Sequence, residues 1–323
     1  MKLSPILLLA TCLAAGAETE EQIHKQFAVQ PGGKLVLDVD FGAINVSTSA
    51  ASEVTVDVVR RVTRPTKSEE EEFLADRPVT FAQEGNSVTI SSRAQSRAGG
   101  SSRGKQRTEG KYTITVPARF DAQLKTAGGA IAVSDLTGDV AAATSGGDLK
   151  FAHLHGPLDG RTSGGAIQVT ECEGAQQVKT SGGGIDVSGG AGSFDGATSG
   201  GPVAVKDFRG PVQVKSNGGA LTVKDVTGKV AGKTSGGNIA ASFAAPLTNE
   251  VNLATSGGGV TLRVAENSAF DLDASTLGGN VSSDLPVGTT GKPSRSHLRG
   301  PVNGGGKPVV LHTLGGSIQV RKL

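Results

Sequence analysis

Thr162 to Gly183 reads TSGGAIQVTECEGAQQVKTSGG, and the glycine doublet that opens and closes it sets the period of the chain. Doublets fall at Gly128/Gly129, Gly146/Gly147, Gly164/Gly165, Gly182/Gly183, Gly200/Gly201, Gly218/Gly219 and Gly236/Gly237, each 18 residues after the last. The next two steps, to Gly257/Gly258 and Gly278/Gly279, are 21 residues, and a last pair stands at Gly315/Gly316. A fixed period near 20 residues marks a solenoid, whose coils cannot bury an apolar face alone and must stack.

Superposing the coils gives columns. Ile131, Leu149, Ile167, Ile185, Val203, Leu221 and Ile239 follow each doublet at one offset. Val133, Phe151, Val169, Val187, Val205, Val223 and Ala241 follow two residues later, with mostly polar residues between. This period of two is a strand buried on one face. A second glycine column, Gly138, Gly156, Gly174, Gly192, Gly210 and Gly228, marks a second corner and opens a second strand with Val140, Leu158, Gln176, Phe194, Val212 and Val230 inward. Gly, Ala, Thr and Val dominate that second strand, which predicts a thin core. The Thr or Ser ahead of each doublet is placed to satisfy corner amides or to stack as a hydroxyl ladder. The expected fold is all-β, a single-stranded β-solenoid with 18–21-residue coils, two short strands per coil and one short helix near residues 68–76.

Residues 1–17, MKLSPILLLATCLAAGA, have a basic start, an apolar run and a small-x-small ending, the pattern of a secretory signal peptide cleaved after Ala17. The alternative is a lipoprotein site at Cys12, where Thr11 is an unusual predecessor. Residues 18–122 are expected to hold irregular β coils with the helix and a basic loop at 93–111, and residues 123–323 the regular solenoid with a C-terminal cap. Removing Lys2 with the leader takes the formal charge from +2 to +1, which gives no global case for nucleic acid or membrane. Only Cys172 then remains, so no internal disulfide forms, and it reads as a core hydrophobe.

Leu35/Leu37/Val39, Ile44/Val46 and Val54/Val56/Val58 read as three strands of early coils. Ser68 to Leu74 reads as an N-capped, solvated surface helix with acids in its first turn. Arg93, Arg97, Arg103, Lys105, Arg107 and Lys111 read as an inert solvated loop rather than a lipid or nucleic-acid contact. Arg321 and Lys322 are placed to blunt the last exposed strand edge.

The F-x-V-x-P-G-G-x-L-x-L run from Phe27, G-A-I-x-V from Gly42, Y-x-I-x-V-P over Tyr112–Pro117 and L-x-T-x-G-G from Leu124 resemble the bacterial "putative adhesin" (toastrack-like) family of exported β-solenoids of unknown function. The resemblance covers nearly all of the chain after the leader. It implies a stacked β-helix at the cell surface or in the periplasm and carries no catalytic motif.

Calcium-binding β-rolls need Asp and Gly at fixed offsets in both half-coils. Here Asp135, Asp207 and Asp225 line one corner only, the coils between Asp135 and Asp207 offering His153, Glu171 and Gly189 there instead, and the aspartates read as turn-capping residues. A β-helix lyase or hydrolase needs clustered carboxylates on a face. Asp159 and Asp195 stand two coils apart with Gln177 between, as two surface acids on a repeat do by chance. His153 and His155 lack a third ligand. The outward file Arg161, Lys179, Lys215 and Lys233, interrupted by Ala197, is the best candidate surface for an anionic ligand.

The sequence therefore predicts a non-enzymatic exported binding or adhesion scaffold, without catalytic, metal or cofactor residues. It would be periplasmic, outer-membrane-associated or extracellular. Its partner would be an envelope or extracellular polymer or protein, not nucleic acid, and its coil ends and edges leave end-to-end or edge self-association open. The rival readings are a polysaccharide-acting β-helix enzyme and an envelope stress-sensing or structural module.

Overall fold

Period-two alternation with glycine at the corners folds this chain into short, mostly parallel strands. The computed structural model describes residues 18–95, 107–288 and 294–323. The predicted leader at 1–17, most of the basic loop read at 93–111 and residues 289–293 lie outside them. The chain divides into two compact units, residues 1–156 and 157–323. Among the described residues no helix is long and apolar enough to cross a membrane.

The first unit contains β1 (Thr19–Ala28), β2 (Gly33–Val39), β3 (Ala43–Ser49), β4 (Glu53–Thr63), α1 (Lys67–Ala75), β5 (Thr80–Glu84), β6 (Ser87–Ser92), β7 (Arg107–Pro117), β8 (Phe120–Thr126), β9 (Ile131–Ser134), β10 (Val140–Thr144) and β11 (Leu149–Ala152). One run of paired strands is β1-β4-β7-β3-β9-β11 and the other is β5-β6-β2-β8-β10. Leu35, Leu37, Ile44, Val46, Val54, Val56 and Val58 are all buried, as their alternation predicts. Yet β4 is no coil step: it is an 11-residue strand antiparallel to both β1 and β7. Its Arg60 is fully buried, paired with Glu21, and donates to the Arg77 carbonyl at 2.6 Å.

Helix α1 departs from its sequence reading in two ways. Its N-cap is Thr66, whose hydroxyl accepts from the Glu69 amide at 3.3 Å while the Glu69 carboxylate accepts from the Thr66 amide at 3.1 Å. This reciprocal capping box starts the helix ahead of Ser68. The helix is also not uniformly solvated, because Glu70 is buried and accepts from the Thr19 hydroxyl at 2.5 Å and the Arg64 amide at 3.0 Å. Arg93, read as part of an inert loop, reaches back to Asp40 at 2.8 Å and also pairs with Asp38, and the loop read over 93–111 ends short of 111 because Arg107 and Lys111 lie in β7, paired with β4.

The second unit contains β12 (Leu158–Arg161), β13 (Ile167–Thr170), β14 (Glu173–Lys179), β15 (Ile185–Ser188), β16 (Ala191–Thr198), β17 (Val203–Lys206), β18 (Val212–Ser216), β19 (Leu221–Lys224), β20 (Val230–Lys233), β21 (Ile239–Phe243), β22 (Val251–Thr255) and β23 (Val260–Val264). It continues with β24 (Phe270–Thr276), β25 (Val281–Ser283), β26 (His297–Val302), β27 (Lys307–Thr313) and β28 (Ile318–Lys322). One sheet runs β13-β15-β17-β19-β21-β23-β28-β25, the other β12-β14-β16-β18-β20-β22-β27-β24-β26. Ile167 pairs with Ile185, Ile185 with Val203, Val203 with Leu221 and Leu221 with Ile239, so the aliphatic column is a physical ladder.

The core between these sheets is thin. Where the second strand carries Gly196 or Gly232, the facing Ile185 or Leu221 methyl lies 3.7 or 3.5 Å from where a Cβ would stand. At the doublet corner the second glycine is fixed by a close approach. A Cβ on Gly219 would lie 1.8 Å from the Gly201 carbonyl oxygen, whereas one on Gly218 would have its nearest neighbour at 3.5 Å. The buried Thr ahead of each doublet bonds in two directions: Thr198 donates to the Gly183 carbonyl at 2.8 Å and accepts from the Gly201 amide at 3.2 Å.

The end of the coil path is out of sequence order. Strand β27 lies between β22 and β24, and β28 lies between β23 and β25. Arg321 and Lys322 therefore do not cap the last edge, contrary to their sequence reading. The edges there are the three-residue β25 and the antiparallel β26, which carries Arg299 and Pro301. Brevity, charge and proline are the usual guards of an open edge.

Candidate cationic sheet face

The file predicted from the sequence lies on the outward face of the sheet that contains β12, β14, β16, β18 and β20. Arg161 is Cα partner of Lys179, Lys179 of Ala197, Ala197 of Lys215 and Lys215 of Lys233. All four cations are exposed because inward positions alternate with them along every strand. They are not equivalent. Arg161 grips Asp159 with both ends of its fork, Nε to Oδ1 at 2.9 Å and Nη2 to Oδ2 at 2.8 Å, and this bond holds the guanidinium pKa above its ordinary value. Among the described residues Lys179, Lys215 and Lys233 make no ion pair.

Beside the lysines runs a shallow groove of about 440 Å³, walled by Gln177, Asp195 and Gln213 on one side and Ala175, Ser193 and Pro211 on the other. Gln177 is Cα partner of both Asp159 and Asp195, so the two carboxylates stand two strands apart as the repeat implies. Both Asp159 oxygens are held by Arg161. An apolar pocket of about 340 Å³ lies where the lengthened coil 244–250 folds over Val226, Phe243 and Val251.

The corner that invited comparison with calcium sites is a backbone feature. Asp135, His153, Glu171, Asp207 and Asp225 all have φ between 50 and 61°, the left-handed region, and Gly189 occupies it at 73°. Asp tolerates that conformation better than most residues, and Gly best of all. His153 Nδ1 lies 2.9 Å from Asp135 Oδ1. The His155 amide donates to the Leu136 carbonyl at 2.9 Å. Among the described residues no group of three His, Cys, Asp or Glu side chains converges as a metal site.

A second cationic file stands on the other sheet. Lys206, Lys224, Arg263 and Arg321 share one outward position there. Lys206 and Lys224 are visible in the 18-residue phase, but Arg263 follows a 21-residue step and Arg321 a long excursion, so only strand pairing aligns them.

With the geometry of both faces in place, the chain can be compared with known proteins. Residues 34–321 match the family described as Toastrack DUF4097. The chain belongs to the Toastrack family. No curated protein matches it. Among solved structures, the Toastrack chain is similar to a "putative adhesin" from Bacteroides fragilis, at 12% identity over 94% of this chain and 97% of that one, with a TM-score of 0.37. It is similar to a "putative cell adhesion protein" from Clostridium sporogenes, at 10% identity over 94% and 100%, TM-score 0.27. A "putative lipid binding protein" from Parabacteroides distasonis matches at 10% identity over 94% and 96%, TM-score 0.29. At such scores these likenesses carry nothing further over to the Toastrack chain.

Proposed function

We propose that this Toastrack protein is a non-enzymatic, exported scaffold that holds an extended anionic polymer of the envelope or cell exterior against its flat sheet faces. The observation that supports it is the registered exposure of Lys179, Lys215 and Lys233 beside a shallow groove lined in part by Gln177, Asp195 and Gln213. Parallel strands put such charges at fixed multiples of about 4.8 Å, a spacing suited to a repeating polyanion. Asp159 and Asp195 on that face stand two strands apart, and Asp159 is bound to Arg161, which favours binding over bond cleavage.

The test is incubation of the purified mature chain with a panel of acidic polysaccharides. Retention of polymer without new reducing or unsaturated ends supports the scaffold, and appearance of such ends supports the enzyme instead. Cell fractionation with and without a block on leader cleavage reads the location, and recovery in the cytoplasm contradicts export.

A further inference from the structure

The second cationic file has stronger electrostatic credentials than the first. Lys206 pairs with Lys224, Lys224 with Ser242, Ser242 with Arg263 and Arg263 with Arg321, so four positive charges occupy five successive strands. At about 4.8 Å per strand they span roughly 19 Å. All four are exposed, and among the described residues none of them makes an ion pair. The outward file beside them, Ala204, Thr222, Ala240, Thr261 and Gln319, carries no charge.

The acids nearby lie at the margins: exposed Asp186 is the Cα partner of Ala204 on β15, one strand beyond the Lys206 end. Asp207 and Asp225 occupy the left-handed corner, and the Asp225 carboxylate accepts from the Ala244 amide at 2.8 Å. Glu266 is held by Lys322 at 2.5 Å, and Asp284 lies past the Arg321 end, its amide bonded to the Val320 carbonyl at 2.9 Å. By contrast, the first file has Asp159 and Asp195 beside it and Ala197 within it.

Like charges directly opposite on neighbouring strands destabilise a sheet. The chain sets Lys206 against Lys224 and Arg263 against Arg321 and offers no counter-charge between them. Lysines kept only for solubility would be served as well by interspersed signs. The repulsion is relieved when an external anion supplies the missing charge. Arginine adds the forked geometry that suits carboxylate and sulfate.

Resting on the scaffold reading above and naming its site, we infer that the Lys206, Lys224, Arg263 and Arg321 file is the principal polyanion contact, and that its occupant is a linear acidic polysaccharide lying across the strands. Thr222, Ser242, Thr261 and Gln319 supply hydroxyl and amide partners for sugar hydroxyls. The file and its neighbouring column contain no aromatic side chain on which a base could stack, and stacking is what single-stranded nucleic acid uses.

Binding of heparin and of polygalacturonate to the mature chain, measured by calorimetry from about 50 to about 200 mM salt, tests this. The variant K206S/K224S/R263S/R321S should weaken binding by at least about tenfold and make the log–log salt dependence shallower by roughly one per charge removed. K179S/K215S/K233S, which removes the secondary file, should weaken binding by a smaller factor than K206S/K224S/R263S/R321S and reduce the salt dependence less. R263Q/R321Q, a smaller change to the same file, guards against misfolding and should give an intermediate loss. Wild-type binding lost only in K179S/K215S/K233S would overturn the assignment of the site while leaving the scaffold reading standing. Absence of binding to either polymer by wild type would overturn both. Equal or tighter binding of a single-stranded oligonucleotide would overturn the polysaccharide assignment.

Discussion

The hydroxyl of Thr198 donates to the carbonyl of Gly183 in the preceding coil at 2.8 Å and accepts from the amide of Gly201 at 3.2 Å. One buried side chain thereby ties a backbone acceptor of one rung to a backbone donor of its own corner. Thr180, Ser216 and Thr234 repeat the arrangement, donating to Gly165, Gly201 and Gly219 at 2.8, 3.0 and 2.8 Å. Replacing Thr198 by Val keeps the shape and leaves two buried backbone groups unpaired, at a cost of about 1–3 kcal/mol each. Denaturant unfolding of T198V should show that loss. T198S should recover most of it, as Ser216 already does the same task, and a T198V protein as stable as wild type would contradict the account.

The two glycines of one doublet should respond differently to the same substitution. A methyl on Gly219 meets the Gly201 carbonyl oxygen at 1.8 Å, and that atom belongs to a backbone already fixed by strand pairing on both sides. G219A should cost about 1–3 kcal/mol or more, the range for forcing atoms into a packed core. G218A places its methyl in ordinary contact, 3.5 Å from the nearest atom, and should stay within about 1 kcal/mol of wild type or gain slightly through the unfolded chain. Thermal melts of the pair provide the comparison.

Where the sequence was legible, it was because errors of register were impossible. The strict spacing of Ile167, Ile185 and Val203 leaves one alignment that buries all three. The N-cap was misplaced because Ser68 and Thr66 both suit the position, and the decision falls to Glu69, whose carboxylate reaches the Thr66 amide. Strand β1 went unread because, as an edge strand, TEEQIHKQFA buries little beyond Thr19 and shows no clear apolar alternation. The Arg263 and Arg321 pairing was hidden because the intervening chain builds β24 to β27 first, and β28 returns to a slot beside β23.

Glu70 gives the helix-bearing unit a pH dependence. Burial works against its carboxylate, yet the Thr19 hydroxyl, the Arg64 amide and the Lys67 charge together hold its pKa below the ordinary 4.5. A depressed folded pKa contributes stability that is complete above the unfolded value and is lost as pH falls through the folded one. E70Q should therefore be less stable than wild type near neutral pH, with the gap closing as pH drops below about 4.5. A gap that stayed constant into acid would assign the loss to shape rather than charge.

The intercalated strands make a prediction that the linear order of the chain would reverse. If residues 307–322 formed an end coil, Leu311 would be covered on one side only, and trimming it would cost little. Instead Leu311 pairs with Leu253 on one side and Ala274 on the other and is fully buried. L311A should cost about 2–5 kcal/mol, the range for emptying a core leucine site, close to the cost of L253A in the neighbouring strand. Val281, half-buried on the edge strand β25 although earlier in sequence, should tolerate alanine at under about 1 kcal/mol. Equilibrium unfolding of L311A, L253A and V281A decides between the two orders. Leu311 ranking with Leu253 places the late strand inside the stack, and Leu311 ranking with Val281 would put it at the end.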